Sequence, residues 1–117
     1  MEGLSNYEKE VRPWGNFERY TANELSTVKI ITANPNEALS LQTHTHRSEF
    51  WRILSGSGTV SIDSMKQEAH PGDTFYINQG AAHRMEAGPN GVVWLEIALG
   101  QFDEADITRL EDKYGRT

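Results

Sequence analysis

The sequence contains no cysteine. Disulfide frameworks, thiolate zinc sites and cysteine nucleophiles are thereby excluded together. Long apolar runs are missing as well. The longest, Val92 to Leu95, is far too short to span a bilayer, and Met1 to Glu10 lacks the apolar segment of a secretory signal. A soluble cytoplasmic protein is the expectation. Positive charge is scarce too, with 11 lysines and arginines against 17 acidic residues and a formal charge of -6. That balance argues against a nucleic-acid or membrane partner, since both reward a basic face, but leaves room for a small anion where arginines gather locally.

What is present is 117 residues, the size of one compact domain with one core. Residues 1–11 read as an N-terminal arm and residues 12–117 as a single domain. Turn-forming Pro, Gly, Asn and Asp recur through the chain, and the stretches between them are short and alternate apolar with polar residues, which predicts an all-β barrel. Strands are expected at Phe17-Tyr20, Ser26-Ala33, Ala38-His44, Glu49-Ser55, Thr59-Ile62, Met65-Ala69, Thr74-Ile77, Ala82-Glu86 and Val92-Leu99. Gly56-Ser57-Gly58 and Gly88-Pro89-Asn90-Gly91 read as turns. Only Asp103 to Tyr114 departs, because Ile107, Leu110 and Tyr114 stand three and four apart and predict a short C-terminal helix stopped by Gly115.

Chemistry concentrates in two segments. In Leu39-Ser40-Leu41-Gln42-Thr43-His44-Thr45-His46-Arg47-Ser48-Glu49, strand alternation puts Gln42, His44 and His46 on one polar face and Leu39 and Leu41 on the other. Glu49 opens the next strand and is brought near by a tight turn. His83 comes from a second, distant segment. Imidazole nitrogens, an amide oxygen and a carboxylate converging inside a barrel make a site for a divalent metal with open positions. Histidines two apart on a strand are as often just a polar face, and His70 beside Pro71-Gly72 reads as a turn residue.

The joint spacing of Gln42, His44, Glu49 and Gly56 resembles the first cupin motif, with Asn36 at its opening glycine position, and Gly72, Gly80 and His83 resemble the second. The resemblance implies a cupin double-stranded β-helix, a jelly-roll barrel, with Gln42, His44, Glu49 and His83 as metal ligands and His46 as their neighbour. The chain is similar, over nearly its whole length, to the cupin domain that ends bifunctional guanylyltransferase/isomerases, the type II phosphomannose isomerases. Arg12-Pro13-Trp14-Gly15, Arg47-Ser48-Glu49-x-Trp51 and Arg109-Leu110-Glu111-Asp112-x-Tyr114-Gly115-Arg116 carry that likeness. The nucleotidyltransferase half is not in this sequence, so nucleotide-sugar synthesis is not expected of it. Phe50 and Ala98 stand where the family usually shows His and Gln, and are expected to remove polar groups from the pocket, which puts mannose 6-phosphate in question as the substrate.

The resemblance implies mannose 6-phosphate/fructose 6-phosphate interconversion on one divalent ion, zinc as first choice and manganese, iron, cobalt or nickel as the others. The alternative is another small cupin, a dioxygenase-type enzyme or a non-catalytic sugar- or metal-binding module. His46 or Glu96 is expected to shuttle the proton, although Glu96 is equally suited to pair with a buried arginine. Arg47, Arg84 and Arg12 are the phosphate candidates, with Lys29 as ambiguous; Arg84 is weakened because alternation turns it from His83. Trp51 suits a pocket floor or ordinary core packing. Leu39 and Leu41, read as pointing out of the lumen, suggest a homodimer, with the N-terminal arm as an alternative cover.

Overall fold

A computed structural model describes residues 2–116. Among them, nine strands form and no helix: β1 (Glu8–Arg12), β2 (Gly15–Arg19), β3 (Ser26–Ala33), β4 (Leu41–Thr43), β5 (Arg47–Ile62), β6 (Met65–Ala69), β7 (Thr74–Ile77), β8 (His83–Gly100) and β9 (Thr108–Glu111). It follows that no helix among the described residues is long and apolar enough to cross a membrane.

The long antiparallel pair β5 and β8 is the frame. The first half of β5 pairs with β7 and with the second half of β8, which carries β3 on its other side. The second half of β5 pairs with β6 and with the start of β8, beside which lie β4 and then β9. Folding one pair of strands over on itself produces the two faces of the expected all-β jelly roll. Buried Trp51, Ile53, Val60, Phe75, Ile77, Met85, Val92 and Trp94 fill the space between them.

The glycine clusters predicted as turns prove to be bulges within continuous strands. The β5/β8 register shifts between Ile53 and Ser55 and again between Gly56 and Gly58. Gly56 has φ 75, and a Cβ built there would sit 2.2 Å from the Gly91 carbonyl oxygen. A bulge and a hairpin turn draw on the same residues, so composition alone does not separate them.

The expected C-terminal helix does not form; Thr108–Glu111 is a strand paired with β4, Leu41 opposite Glu111 and Thr43 opposite Thr108. The edge of β4 offers backbone partners, whereas an isolated helix of about twelve residues is marginal. The apolar spacing made no common face either: Ile107 lines a cavity while Leu110 and Tyr114 are exposed.

At the other end, β1 and β2 form a hairpin rather than a loose arm. Buried Leu4 packs with Phe50 and Ile97 on the outer face of the barrel, so Phe50 lies outside the lumen and its departure from the family pattern leaves the cavity untouched. Leu39 packs against the inner core, contrary to the outward direction expected, so it gives no reason for a dimer.

Candidate metal centre

Alternation along β5 and β8 decides what the lumen receives. Glu49, Trp51 and Ile53 face inward from β5, and Trp94, Glu96 and Ala98 from β8, with Trp51 opposite Glu96 and Glu49 opposite Ala98. On β3, Lys29 stands opposite Glu96. On β4, Gln42 stands opposite His83 of β8, which joins the two sequence segments directly. A cavity of about 160 Å³ results, and among its lining residues are Gln42, His44, Arg47, Glu49, Trp51, His83 and Glu96.

One nitrogen each from His44 and His83 and an oxygen from Glu49 lie within 4.8 Å of one another, all three residues buried. Each imidazole is oriented by a backbone carbonyl. His44 Nδ1 lies 2.6 Å from the Asp106 carbonyl oxygen, and His83 Nδ1 lies 2.9 Å from that of Ala81. A carbonyl only accepts, so both Nδ1 atoms carry a proton, which in the neutral imidazole leaves Nε2 as the lone-pair atom. Those lone pairs face one carboxylate: His44 Nε2 is 3.3 Å from Glu49 Oε2, and His83 Nε2 is 3.6 Å from Glu49 Oε1. Backbone-held imidazoles with free Nε2 atoms are the usual arrangement of metal-ligating histidine.

The remaining contacts fix the carboxylate. Trp51 Nε1 donates to Glu49 Oε1 at 3.0 Å, so the tryptophan, only 1% exposed, is both core and support for the site. Arg47 Nε donates to Glu49 Oε2 at 3.0 Å, and its Nη2 lies 3.2 Å from His44 Nε2. The guanidinium thus rests as a cation on two of the three donor atoms, which shows that the donor set suits positive charge. Gln42 donates its amide nitrogen to the Ser40 carbonyl at 3.3 Å, which leaves its amide oxygen as the atom it can offer a cation. The residues present therefore fit a divalent ion bound by nitrogen and oxygen.

Burial governs the proton chemistry. It pushes the Glu96 carboxyl up to about 8, reinforced by the charge of Glu49 and by a hydrogen bond between the two carboxyls. Burial is also the largest influence on Glu49, but the charge of His83, the hydrogen bond from Glu96, His44 and Arg47 together outweigh it and hold that carboxyl below the ordinary value. His83 is pushed down chiefly by burial, against the opposing pull of Glu49, in the direction that favours the neutral imidazole a ligand must offer.

Three sequence-predicted residues lie elsewhere. His46 is exposed and lines a separate depression with Gln101, Asp103 and Asp106. The strand ends at Thr43, and the alternation that put His46 beside His44 does not continue through the bend. Arg84 donates to the Leu39 carbonyl and pairs with Glu111 at 3.2 Å outside the cavity. Arg12 sits on the exposed hairpin with Glu10.

Sequence reasoning missed Asp106. Its carboxylate accepts the backbone N–H groups of Thr45 at 2.7 Å and His46 at 2.8 Å, while its carbonyl holds His44. Those two N–H groups keep its carboxyl below the usual value. The residue was hidden inside the segment read as a helix.

Comparison with known proteins agrees with this architecture. Residues 2–112 match the family described as mannose-6-phosphate isomerase C-terminal. The chain is 37% identical over 107 residues to the mannose-1-phosphate guanylyltransferase ManC of Salmonella typhimurium, covering 90% of this chain and 22% of that protein. It is 36% identical over 115 residues to the alginate biosynthesis protein AlgA of Pseudomonas aeruginosa, covering 96% of this chain and 24% of that one. The chain therefore spans about a quarter of the length of these relatives. A cupin-2 domain of Rhodospirillum rubrum superposes with a TM-score of 0.63 at 21% identity, over 75% of this chain and 64% of that one, which supports the cupin fold. By the extent of the family match, this chain belongs to the mannose-6-phosphate isomerase C-terminal family.

Proposed function

We propose that the chain is a metal-dependent aldose-ketose isomerase acting on a sugar phosphate, with mannose 6-phosphate and fructose 6-phosphate as the first pair to test. The observation that carries the reading is the convergence of His44, Glu49 and His83 in a cavity that also holds Glu96. His44 and His83 would hold the ion through Nε2, Glu49 through its carboxylate and Gln42 through its amide oxygen. Zinc is the first choice, because neutral imidazole and carboxylate suit it, and manganese, iron, cobalt and nickel accept the same donors. A divalent ion there supplies Lewis-acid polarisation of sugar oxygens.

The chain's own residues do the rest. Glu96, after giving up its own proton to solvent, takes the proton from C2 of the aldose as a carboxylate and returns it to C1, while the hydroxyl proton passes from O2 to O1, so that atoms balance without an oxidant. Its burial, its place on the cavity wall and a carboxyl pushed up to about 8, close to neutral, support that role, and the exposed His46 shares neither the burial nor the cavity wall. Arg47 offers positive charge to the developing oxyanion. Trp51 keeps Glu49 aligned from below.

The test is ketose formation from a panel of hexose and pentose phosphates by protein loaded with zinc or manganese. Turnover is expected with at least one aldose phosphate, is lost on chelation, and falls at least about a hundredfold in H44A and H83A, which remove ligands. No turnover of any aldose phosphate, or oxygen consumption with Fe(II) in its place, contradicts the reading.

A further inference from the structure

Cations line the cavity beyond the candidate metal centre as well. Besides Arg47, its wall holds Lys29 from β3 and Arg109 from β9. Register places each beside the reacting groups: Lys29 stands opposite Glu96, and Arg109 stands opposite Gln42. The backbone of each is thus one strand spacing, about 5 Å, from that of the acid or of a candidate ligand.

This part of the cavity opens outward. Lys29 Nζ pairs with Glu104 Oε1 at 3.1 Å, and the two side chains are 34% and 78% exposed. Lys29, at 4.5 Å, and Arg47, at 4.6 Å, both contact the ring of Phe102. In a chain with a net charge of -6, this cavity gathers three cations, Lys29, Arg47 and Arg109, against three acids, Glu49, Glu96 and Glu104, and is formally balanced. A lysine as point charge and an arginine as planar fork are complementary donors for a phosphate. An anion already sits on the lysine in the form of the Glu104 carboxylate.

We propose that Lys29 and Arg109 form a phosphate-monoester subsite at the open side of the cavity, and that Glu104 competes with the substrate's phosphate for Lys29. The subsite rests on the isomerase reading for the remainder of the substrate. Binding of the phosphate group then requires the segment carrying Glu104 to release Lys29, which links entry of the substrate to a local rearrangement at the rim.

Mannitol 6-phosphate tests this without turnover, because it has no carbonyl to isomerise; mannitol is the uncharged control. By calorimetry on the zinc-loaded full chain, mannitol 6-phosphate should bind at least about tenfold more tightly than mannitol. K29Q and R109Q should each erase about tenfold of that preference, K29R should restore most of it, and E104Q should tighten binding about twofold to fivefold, the range of an exposed ion pair. Zinc content and the far-ultraviolet spectrum verify that each variant is folded. Unchanged binding of mannitol 6-phosphate by folded K29Q and R109Q overturns the subsite, and so does weakened binding by E104Q. Failure of the isomerase reading looks different. Parent protein that binds mannitol 6-phosphate through Lys29 yet converts no aldose phosphate sinks the isomerase alone, whereas an active isomerase whose KM is unmoved in K29Q sinks the subsite alone.

Discussion

Asp106 holds three consecutive residues of the ligand segment, His44 through its carbonyl and Thr45 and His46 through its carboxylate. Replacing it with alanine removes the two carboxylate contacts and frees the bend that aims His44. D106A should therefore bind zinc about tenfold to a hundredfold more weakly than the parent in a competition titration, as losses of ligand-orienting partners typically do. An unchanged affinity would show that the neighbouring strands alone position His44. At this scale the sequence was most informative in its spacing: Gln42, His44, Glu49 and His83, singled out by their offsets along strands, line one cavity. Asn36 also behaves as the glycine position it occupies, with φ 62. His46 was misjudged because nothing in a sequence marks the residue at which strand alternation stops, whereas alternation within β8 had already turned Arg84 away from His83, as its pairing with Glu111 bears out.

The elements that frame the site depend on two features that are easy to break. The first is the bulge in β5. At Gly56, with φ 75 and a backbone oxygen 2.2 Å from the place of a Cβ, G56A forces strain on a backbone that cannot move cheaply. The left-handed conformation alone costs about 1–3 kcal/mol, so the denaturation midpoint should drop by at least that equivalent with an unaltered slope. The second is the contact between the N-terminal hairpin and the barrel. Glu18 accepts from Tyr7 at 2.6 Å and from Arg52 at 2.9 and 3.1 Å. The tyrosine hydrogen bond, then the arginine, holds the Glu18 carboxyl below its ordinary value of 4.5. A carboxyl depressed on folding stabilises above its unfolded value and ceases to do so as pH falls through its folded value. E18Q should accordingly melt below the parent at pH 7, and the gap should close as the pH is lowered beneath 4.5. A gap that stays constant with pH would mean that the charge of Glu18 contributes nothing. Neither feature was readable beforehand, since a bulge and a turn share their glycines and a pairing between Glu18 and Arg52 is a matter of tertiary placement.

For the molecule as a whole, the barrel brings residues far apart in sequence into register, Gln42 against His83, and lines the space between them with acids and cations. The all-β class and most strands were legible from period and punctuation. The C-terminal strand was not, because a sheet edge needing partners outweighed a weak helical period. The central claim is that His44, Glu49 and His83 grip one divalent ion. Crystals of the zinc-loaded protein, measured on both sides of the zinc absorption edge, test it directly. A single anomalous peak is expected at about 2.0–2.2 Å from His44 Nε2, His83 Nε2 and a Glu49 oxygen, with Arg47 displaced from His44. A peak elsewhere, with Arg47 still bonded to Glu49 and His44, would contradict it.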